Sequence, residues 1–244
     1  MSSVSPGSPP QRHRIIPLAL LALTVSTGVV DAVSFLGLGR LFVANMTGNV
    51  LFSGFALAGS GEVSVVAPLV SLASFLLGAI VGGRLAARFG AHRGRHFSAA
   101  AGLTLPFVTA AAVSSVLAPV SGAGRYAVIV LLAAGMGVQM ATARRLAVPD
   151  VTTSVVTMSL IGLVADWHGA VWRPNLPARV ASILTMLFGA FAGGLLLLHA
   201  GVPAALGVAA ALIAVSAVVV NRLSRGTTAE QWRPPPPAAE PPRA

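Results

Sequence analysis

Apolar residues run through this chain in long blocks that short polar breaks separate. The blocks lie at about 15–38, 42–60, 64–87, 97–119, 125–147, 152–165, 179–199 and 202–221. Most of them reach the roughly 18 residues that a helix needs to cross a hydrocarbon layer. The breaks, such as GAHRGRH at 90–96, contain the glycine, proline and arginine that are typical of loops. The pattern predicts an all-α integral membrane protein.

Composition agrees with this class. Hydrophobic residues make up 55% of the 244 residues and charged residues 9%, whereas about 25% of an ordinary soluble domain is charged. The 16 basic residues are all arginine, which is typical of a GC-rich bacterial genome, and the absence of cysteine excludes disulfides. Because the arginines flank the apolar blocks, we expect them to meet the lipid bilayer and its anionic headgroups, not nucleic acid. The proline-rich ends, 1–14 and 222–244, are predicted to be disordered tails around a membrane domain at 15–221.

The positions of the arginines favour six crossings over eight. Eight crossings would divide the flanking arginines evenly between the two sides of the membrane. If the blocks at 42–60 and 152–165 instead enter and leave on one side, the inner side holds Arg12, Arg14, Arg84, Arg88, Arg93, Arg95, Arg144, Arg145, Arg173, Arg179, Arg222 and Arg225. Only Arg40 and Arg125 then lie outside, as the positive-inside rule expects. We therefore predict six transmembrane helices, two re-entrant or short helical segments, and both termini in the cytoplasm of a bacterium.

The chain also contains an internal repeat. SFLLGAIVGGRLAARFG (74–90) aligns with TMLFGAFAGGLLLLHAG (185–201) at a shift of 111, with seven of 17 positions identical. GVVDA (28–32) aligns with GVQMA (137–141) at a shift of 109. These matches predict a duplicated unit.

The predicted halves are 15–119 and 125–221. Each would cross the membrane three times, so the second half is expected to be inverted relative to the first. An inverted repeat with interrupted segments is typical of secondary transporters, whose site lies at the repeat interface near the midplane. The glycines spaced four apart in both aligned helices are expected to permit close helix packing.

One acidic residue lies inside an apolar block. Asp31 follows Thr24, Thr27 and Gly28 at helical spacing, which gives the first helix a polar face. A charge at the centre of a membrane helix costs about 2.5–3.5 kcal/mol, so it indicates a functional site or a structural partner. The alternative is an acid in the outer third of its helix that snorkels or pairs with Arg40.

Two polar stretches accompany Asp31. ANMTGN (44–49) has the residues that satisfy a broken helix lining a cavity, and PDVTTSVVT (149–157) has the proline, aspartate and threonine of a helix start. The alternative is a pair of ordinary short helices whose hydroxyls bond back to the backbone. The candidate residues for binding a substrate or ion are Asp31, Asn45, Thr47, Gly48, Asn49, Gln139, Thr153 and Thr157.

Signals of catalysis or metal binding are weak. His92 and His96 have the spacing of a metal pair, but a glycine and two arginines lie between them and favour a solvated basic loop. No nucleotide-binding or hydrolase motif occurs. We expect no enzyme activity, no cofactor and no bound metal.

Two segments resemble a known family. TGVVDAVSFLGLGRLFVANMTGNV (27–50) and GMGVQMATARRLAVPDVTTSVVTMSL (135–160) resemble the YoaK-like family of uncharacterised bacterial membrane proteins, over roughly 15–221. The resemblance implies a domain of unknown function with about six spans.

Two hypotheses for function remain. The first is a transporter of a small molecule or ion with a midplane site at the repeat interface. The second is a scaffold or sensor that associates with itself or a partner through glycine-rich helices. A polar, water-accessible cavity around Asp31 and Asn49 would favour transport, and a dry, glycine-packed centre would favour the scaffold. Neither substrate, coupling ion, direction nor oligomeric state follows from the residues.

Overall fold

The structure, a computed structural model, describes residues 15–60, 64–89, 92–146, 176–225, 227 and 232. Its helices are α1 (Ile15–Gly37), α2 (Met46–Leu57), α3 (Val66–Phe89), α4 (Arg93–Leu117), α5 (Gly122–Leu146) and α6 (Leu176–Ser224). The described residues contain no strand, so the predicted all-α class is confirmed. All helices except α2 are long and apolar enough to cross a membrane.

The longest helix, α6, is a hairpin. Its 49 residues are interrupted at Gly201, where φ is 81° and ψ is 177°. The segment before this break, α6a (176–200), runs parallel to α1, because Gly189 meets Val25 and Gly193 meets Val29. The segment after it, α6b (202–224), runs antiparallel to α1: its first residue lies against Gly37, while Ala209 further along bonds to Ser26. The chain therefore reverses at Gly201, and α6 supplies two predicted blocks.

The block predicted at 42–60 does not form a spanning helix. Within it, α2 has 12 residues, which gives about 18 Å of helix against a hydrocarbon layer of about 30 Å. Asp31 near the end of α1 and Ser71 near the start of α3 both bond to the loop before α2. Hence α1 ends and α3 begins at the same end of the helix bundle. The block predicted at 152–165 lies outside the described residues.

Arginines concentrate at one end of the bundle. Arg93 at the start of α4 donates to the carbonyl of Leu146 at the end of α5, and Gly94 packs against Ser224 at the end of α6. This arginine end contains, among the described residues, Arg84, Arg88, Arg93, Arg95, Arg144, Arg145, Arg179, Arg222 and Arg225. Arg40 and Arg125 lie at the opposite end, where a Cβ on Gly39 would lie 2.9 Å from the Arg125 guanidinium. The division agrees with the one that the sequence predicted.

The helices pack in two sets, and each set combines both predicted halves. α1, from the first half, packs on α6a and α6b; α5, from the second half, packs on α3 and α4. The sets meet where α4 packs on α6 and where α1 touches α5. α1 and α5 are the most buried of the long helices. α1 thus packs on helices of the predicted second half, and α5 on helices of the predicted first half.

Equivalent close contacts build the two sets. A Cβ added to Gly28 on α1 would lie 2.7 Å from the backbone nitrogen of Ala190 on α6a, and one added to Gly137 on α5 would lie 2.8 Å from the backbone nitrogen of Ala79 on α3. Gly28 and Gly137 are related by the repeat shift of 109, and Ala79 and Ala190 by the shift of 111. Two further pairs obey the same shifts: Gly189 on Val25 with Gly78 on Ala134, and Gly193 on Val29 with Gly82 on Val138. Glycine is required because the backbones touch.

A similar hydrogen bond joins the antiparallel helix pair of each set, with donor and acceptor exchanged between the two pairs. The Ser26 hydroxyl donates to the Ala209 carbonyl over 3.4 Å, and the Thr104 hydroxyl donates to the Gly135 carbonyl over 3.4 Å. Ser26 and Gly135 are related by the same shift as Gly28 and Gly137, and Thr104 and Ala209 by a slightly smaller one. The contact between α1 and α6b therefore has its counterpart between α5 and α4.

Candidate functional site

Asp31 binds the backbone of the loop that joins α1 to α2. Its Oδ1 atom accepts hydrogen bonds from the amides of Val43, at 3.2 Å, and Ala44, at 3.0 Å. The amide of Asn45 also interacts with this carboxylate. Asp31 is buried, with 5% of its surface exposed. The acid that the sequence singled out thus orders three consecutive residues of a non-helical segment.

Asn49, on the first turns of α2, binds the same loop. Its Oδ1 accepts from the Phe42 amide at 2.8 Å, and its Nδ2 donates to the Phe42 carbonyl at 2.6 Å. The Ser71 hydroxyl, on α3, donates to that carbonyl as well, at 2.7 Å. We call Asp31, Asn49 and Ser71 the loop clamp. Each comes from a different helix, so the clamp ties α1, α2 and α3 together at the opposite end.

The clamp has a physical reason. Inside a bilayer no water satisfies a non-helical backbone, so the amides and carbonyls of such a loop need partners in the protein. The loop also turns through left-handed residues, Gly39 with φ 99° and Arg40 with φ 56°. The Phe42 ring stacks on Phe35 at 5.2 Å and on Phe52 at 5.9 Å between ring centroids. Polar and aromatic contacts together hold one loop conformation.

The remaining residues of the first polar stretch lie differently. The side chains of Asn45 and Thr47 are exposed and do not join the clamp. Gly48 lies under the Phe42 ring, and a Cβ at this position would come within 2.6 Å of it. Asn45 is the residue before α2, but its side chain makes no capping hydrogen bond. Of ANMTGN, the side chain that binds inward is therefore that of Asn49.

Gln139, on α5, lies where the two helix sets meet. Its Nε2 donates to the Thr27 hydroxyl at 2.9 Å and lies 3.4 Å from the Leu23 carbonyl, so it bridges to α1. Its Oε1 is buried and has no hydrogen-bond partner. Thr27 precedes Asp31 by one helical turn, about 6 Å along the axis. Thr153 and Thr157, expected to complete this group, lie outside the described residues.

A small cavity adjoins Gln139. Its volume is about 10 Å³, which is enough for about one water molecule. Its walls come from α1, α4 and α5: Leu20, Leu23, Phe97, Ala100, Ala101, Thr104, Gln139, Thr142 and Ala143. Although Thr104, Thr142 and Gln139 contribute to the wall, the surface that faces the cavity is apolar. The hydroxyls of Thr104 and Thr142 donate to the backbone carbonyls of Gly135 and Val138, so the cavity itself offers room for one small molecule and no charged group.

The structure differs from the sequence-based expectation at the two histidines. His92 and His96 are buried, 7% and 2% exposed, and do not form a solvated loop. His92 Nδ1 accepts from the Arg95 amide and so caps α4. Trp232 is also buried, packs against His92 with ring centroids 5.8 Å apart, and donates to Thr227. The residue pattern does not predict this contact between Trp232 and α4; the tryptophan in an otherwise polar, proline-rich segment is the one sign of it.

Comparison with known proteins identifies relatives. The family model described as "Protein of unknown function (DUF1275)" matches residues 19–219. The chain is 30% identical, over 161 residues, to the UPF0700 transmembrane protein YoaK of Bacillus subtilis (strain 168), and the match covers 64% of this chain and 68% of the relative. No solved structure matches. The resemblance to YoaK-like proteins is therefore confirmed.

Proposed function

The chain belongs to the DUF1275 family of membrane proteins, and we propose that it transports a small cation or a small polar neutral solute across a bacterial plasma membrane. The route follows the contact between the two helix sets, past Gln139 and Thr27. No catalytic step and no cofactor are part of this proposal.

The unpaired Oε1 of Gln139 carries the proposal. A buried acceptor without a partner lowers stability by about 1–3 kcal/mol, so such a group in a folded protein calls for an explanation. A leucine of similar size would fill the same space without that loss. Gln139 also lines the small cavity between α1, α4 and α5, and a rotation of its side chain would let Oε1 replace part of the hydration shell of a passing solute.

The matched contacts support an inverted repeat with six crossings. α1 and α5 occupy equivalent places in their sets, yet α1 ends and α5 begins at the opposite end, beside Gly39 and Arg125. Helices that are equivalent and antiparallel are related by an axis in the membrane plane, as in transporters whose halves rock around a central site. We propose that the arginine end, where α1 begins and α6 ends, faces the cytoplasm.

We assign the loop clamp to closing one end of this route. The Asp31 carboxylate is engaged with loop amides in this conformation, so a solute could reach it only after the loop moves. Asp31 and Asn49 therefore hold a gate, and Gln139 lies one helical turn below it. This assignment changes the first hypothesis, in which Asp31 itself holds the solute.

The scaffold hypothesis predicted a dry, glycine-packed centre, and the described helices do pack closely through glycines. It also requires glycine-rich helix faces that are free to meet a partner. Gly78, Gly82, Gly189 and Gly193 instead meet the backbone of their own chain. These glycines serve the fold.

The test is flux through protein reconstituted in liposomes. Protons, Na⁺ and K⁺ are followed with fluorescent indicators, and glycerol and urea with stopped-flow light scattering; metabolite profiles of a deletion strain and an overexpressing strain extend the search. At least one solute should cross faster than in protein-free liposomes. Gln139→Leu should abolish that flux while the melting temperature changes little, because removal of the unpaired acceptor offsets the lost hydrogen bond from Nε2 to Thr27.

A control is Ser216→Ala, which removes a different buried polar group, a hydroxyl that bonds within its own helix to the Leu212 carbonyl. It should leave the flux unchanged. Absence of flux for every solute, with unchanged metabolite profiles, would contradict the transporter proposal. Normal flux through Gln139→Leu would contradict the proposed route.

A further inference from the structure

A groove opens on the surface of the helix bundle at the arginine end. Its volume is about 490 Å³, and it lies between the end of α3, the first turns of α4 and the last turns of α6. Its lining residues are Phe89, Arg95, Ser98, Ala99, Gly102, Ala217, Val218 and Asn221. The groove is separate from the Gln139 cavity and from the loop clamp.

We propose that this groove binds one phospholipid with an anionic headgroup. Its polar residues, Arg95, Ser98 and Asn221, lie nearest the helix ends. Gly102 lies two turns further along α4, about 10 Å deeper, and Val218 accompanies it on α6. The groove is therefore cationic and polar at the helix ends, where a lipid has its headgroup, and apolar further along, where a lipid has its acyl chains.

Charge complementarity selects an anionic headgroup. The Arg95 side chain is exposed at the mouth of the groove, and the Arg88 guanidinium lies 5.8 Å from the ring centroid of Phe89, so a second cation borders it. Asp31 is the one acidic residue among those that the structure describes, and it lies towards the opposite end. Basic pockets between transmembrane helices are suited to lipid headgroups in this way.

Ser98 provides a second, independent observation. Its hydroxyl is shielded from solvent and has no hydrogen-bond partner. A rotation of the Ser98 side chain would turn this hydroxyl towards an acceptor in the groove, which would then satisfy it. Phosphate and ester oxygens of a lipid are such acceptors, and they would lie beside the Arg95 guanidinium, which forms charge-assisted hydrogen bonds with phosphate.

The space around Gly102 allows a direct test of the apolar part. A Cβ at Gly102 would meet nothing within 4 Å, so a larger side chain fills the groove without displacing the helix. Gly207 on α6b has the same open surroundings but does not line the groove. Gly102→Leu and Gly207→Leu therefore form a matched pair.

In the experiment, the full chain is delipidated in detergent and titrated with phosphatidylglycerol or phosphatidylcholine. Two quantities are measured: the rise in melting temperature, and the lipid that remains bound in native mass spectrometry. Phosphatidylglycerol should bind saturably, at about one molecule per chain, and phosphatidylcholine should not. Arg95→Gln should weaken that binding about tenfold, because it removes a charge-assisted contact. Arg144→Gln, an exposed arginine at the same end but outside the groove, should change it less than twofold.

Gly102→Leu should abolish retention of the lipid, and Gly207→Leu should not. Inorganic phosphate at the same concentrations should not reproduce the effect, because it cannot fill the apolar part. Any of four results would overturn the proposal. Both lipids could raise the melting temperature equally, or Arg95→Gln and Arg144→Gln could weaken lipid binding equally. Gly102→Leu could retain the lipid fully, or inorganic phosphate could produce the same saturable rise in melting temperature. Because the readout is lipid binding and not flux, the result is independent of the transporter proposal.

Discussion

Asp31 and Ala44, which lie on either side of a turn, are joined by a hydrogen bond of 3.0 Å from the Ala44 amide to the Asp31 carboxylate. The acid that stands out in the first apolar block is thus the acceptor for a loop that folds back onto its own helix. Asn49 and Ser71 hold the same loop at Phe42. This relationship makes the stability of the loop measurable through single substitutions.

Two substitutions of Asp31 should show whether its role in the loop clamp depends on an acceptor oxygen or on the negative charge. Asp31→Ala leaves the amides of Val43 and Ala44 without an acceptor, and an unpaired buried group costs about 1–3 kcal/mol. We expect a fall of several degrees in the melting temperature of the purified protein, measured by scanning fluorimetry. Asp31→Asn keeps an acceptor oxygen, so its melting temperature should fall less. Thr24→Ala is the control, since Thr24 is equally buried but bonds only within its helix, to Leu20; an equal effect of both alanine substitutions would contradict the clamp.

Asn49 should not tolerate aspartate, although the two side chains are nearly identical in shape. The amide both accepts from and donates to the Phe42 backbone, whereas a carboxylate would set an oxygen against the Phe42 carbonyl. We expect Asn49→Asp to reduce the monodisperse peak in fluorescence-detected gel filtration at least as strongly as Asn49→Ala. Asn45→Asp, in the same loop but exposed, should behave as the wild type. A normal peak from Asn49→Asp would show that the amide donor is dispensable.

Equivalent glycines should respond equally. Alanine normally stabilises a helix by about 1 kcal/mol relative to glycine. At Gly28 and Gly137 the sign should reverse, because the added Cβ meets backbone atoms of the facing helix. These are the Ala190 nitrogen at 2.7 Å for Gly28, and for Gly137 the Ala79 nitrogen at 2.8 Å and, closer still, the Phe75 carbonyl. We expect both substitutions to lower the melting temperature by similar amounts, and Gly83→Ala, whose Cβ meets nothing within 4 Å, to leave it unchanged or higher. A large difference between Gly28→Ala and Gly137→Ala would contradict the equivalence of the two helix sets.

The path of the first short segment can be mapped with single cysteines, since the natural chain has none. We expect Arg40→Cys, Ser60→Cys and Ser121→Cys to react with a membrane-impermeant maleimide from one side, and Arg88→Cys from the other. Ser60 is decisive because it follows α2. Labelling of Arg40→Cys and Ser60→Cys from opposite sides would mean that the segment crosses the membrane.

The sequence alone was sufficient for the class of protein, the family, the position of the long helices and the arginine asymmetry. Apolar length, charge placement and helix-breaking residues are local properties that the bilayer selects directly, so they can be predicted without knowledge of contacts. The two shifts of the repeat were also visible, because the glycines that backbone contact requires recur at equivalent positions.

Tertiary structure decided what the polar residues do. Whether Asp31 faces a solute, Arg40 or a loop depends on which backbone groups remain unpaired nearby, and this follows only when α1, α2 and α3 come together. The same holds for the packing of α1 on α6 and of α5 on α3, since a glycine pattern indicates close packing but not the partner. Gln139 illustrates the limit: its spacing placed it on a polar helix face, but only the packing of α5 against α1 left one of its two polar atoms without a partner.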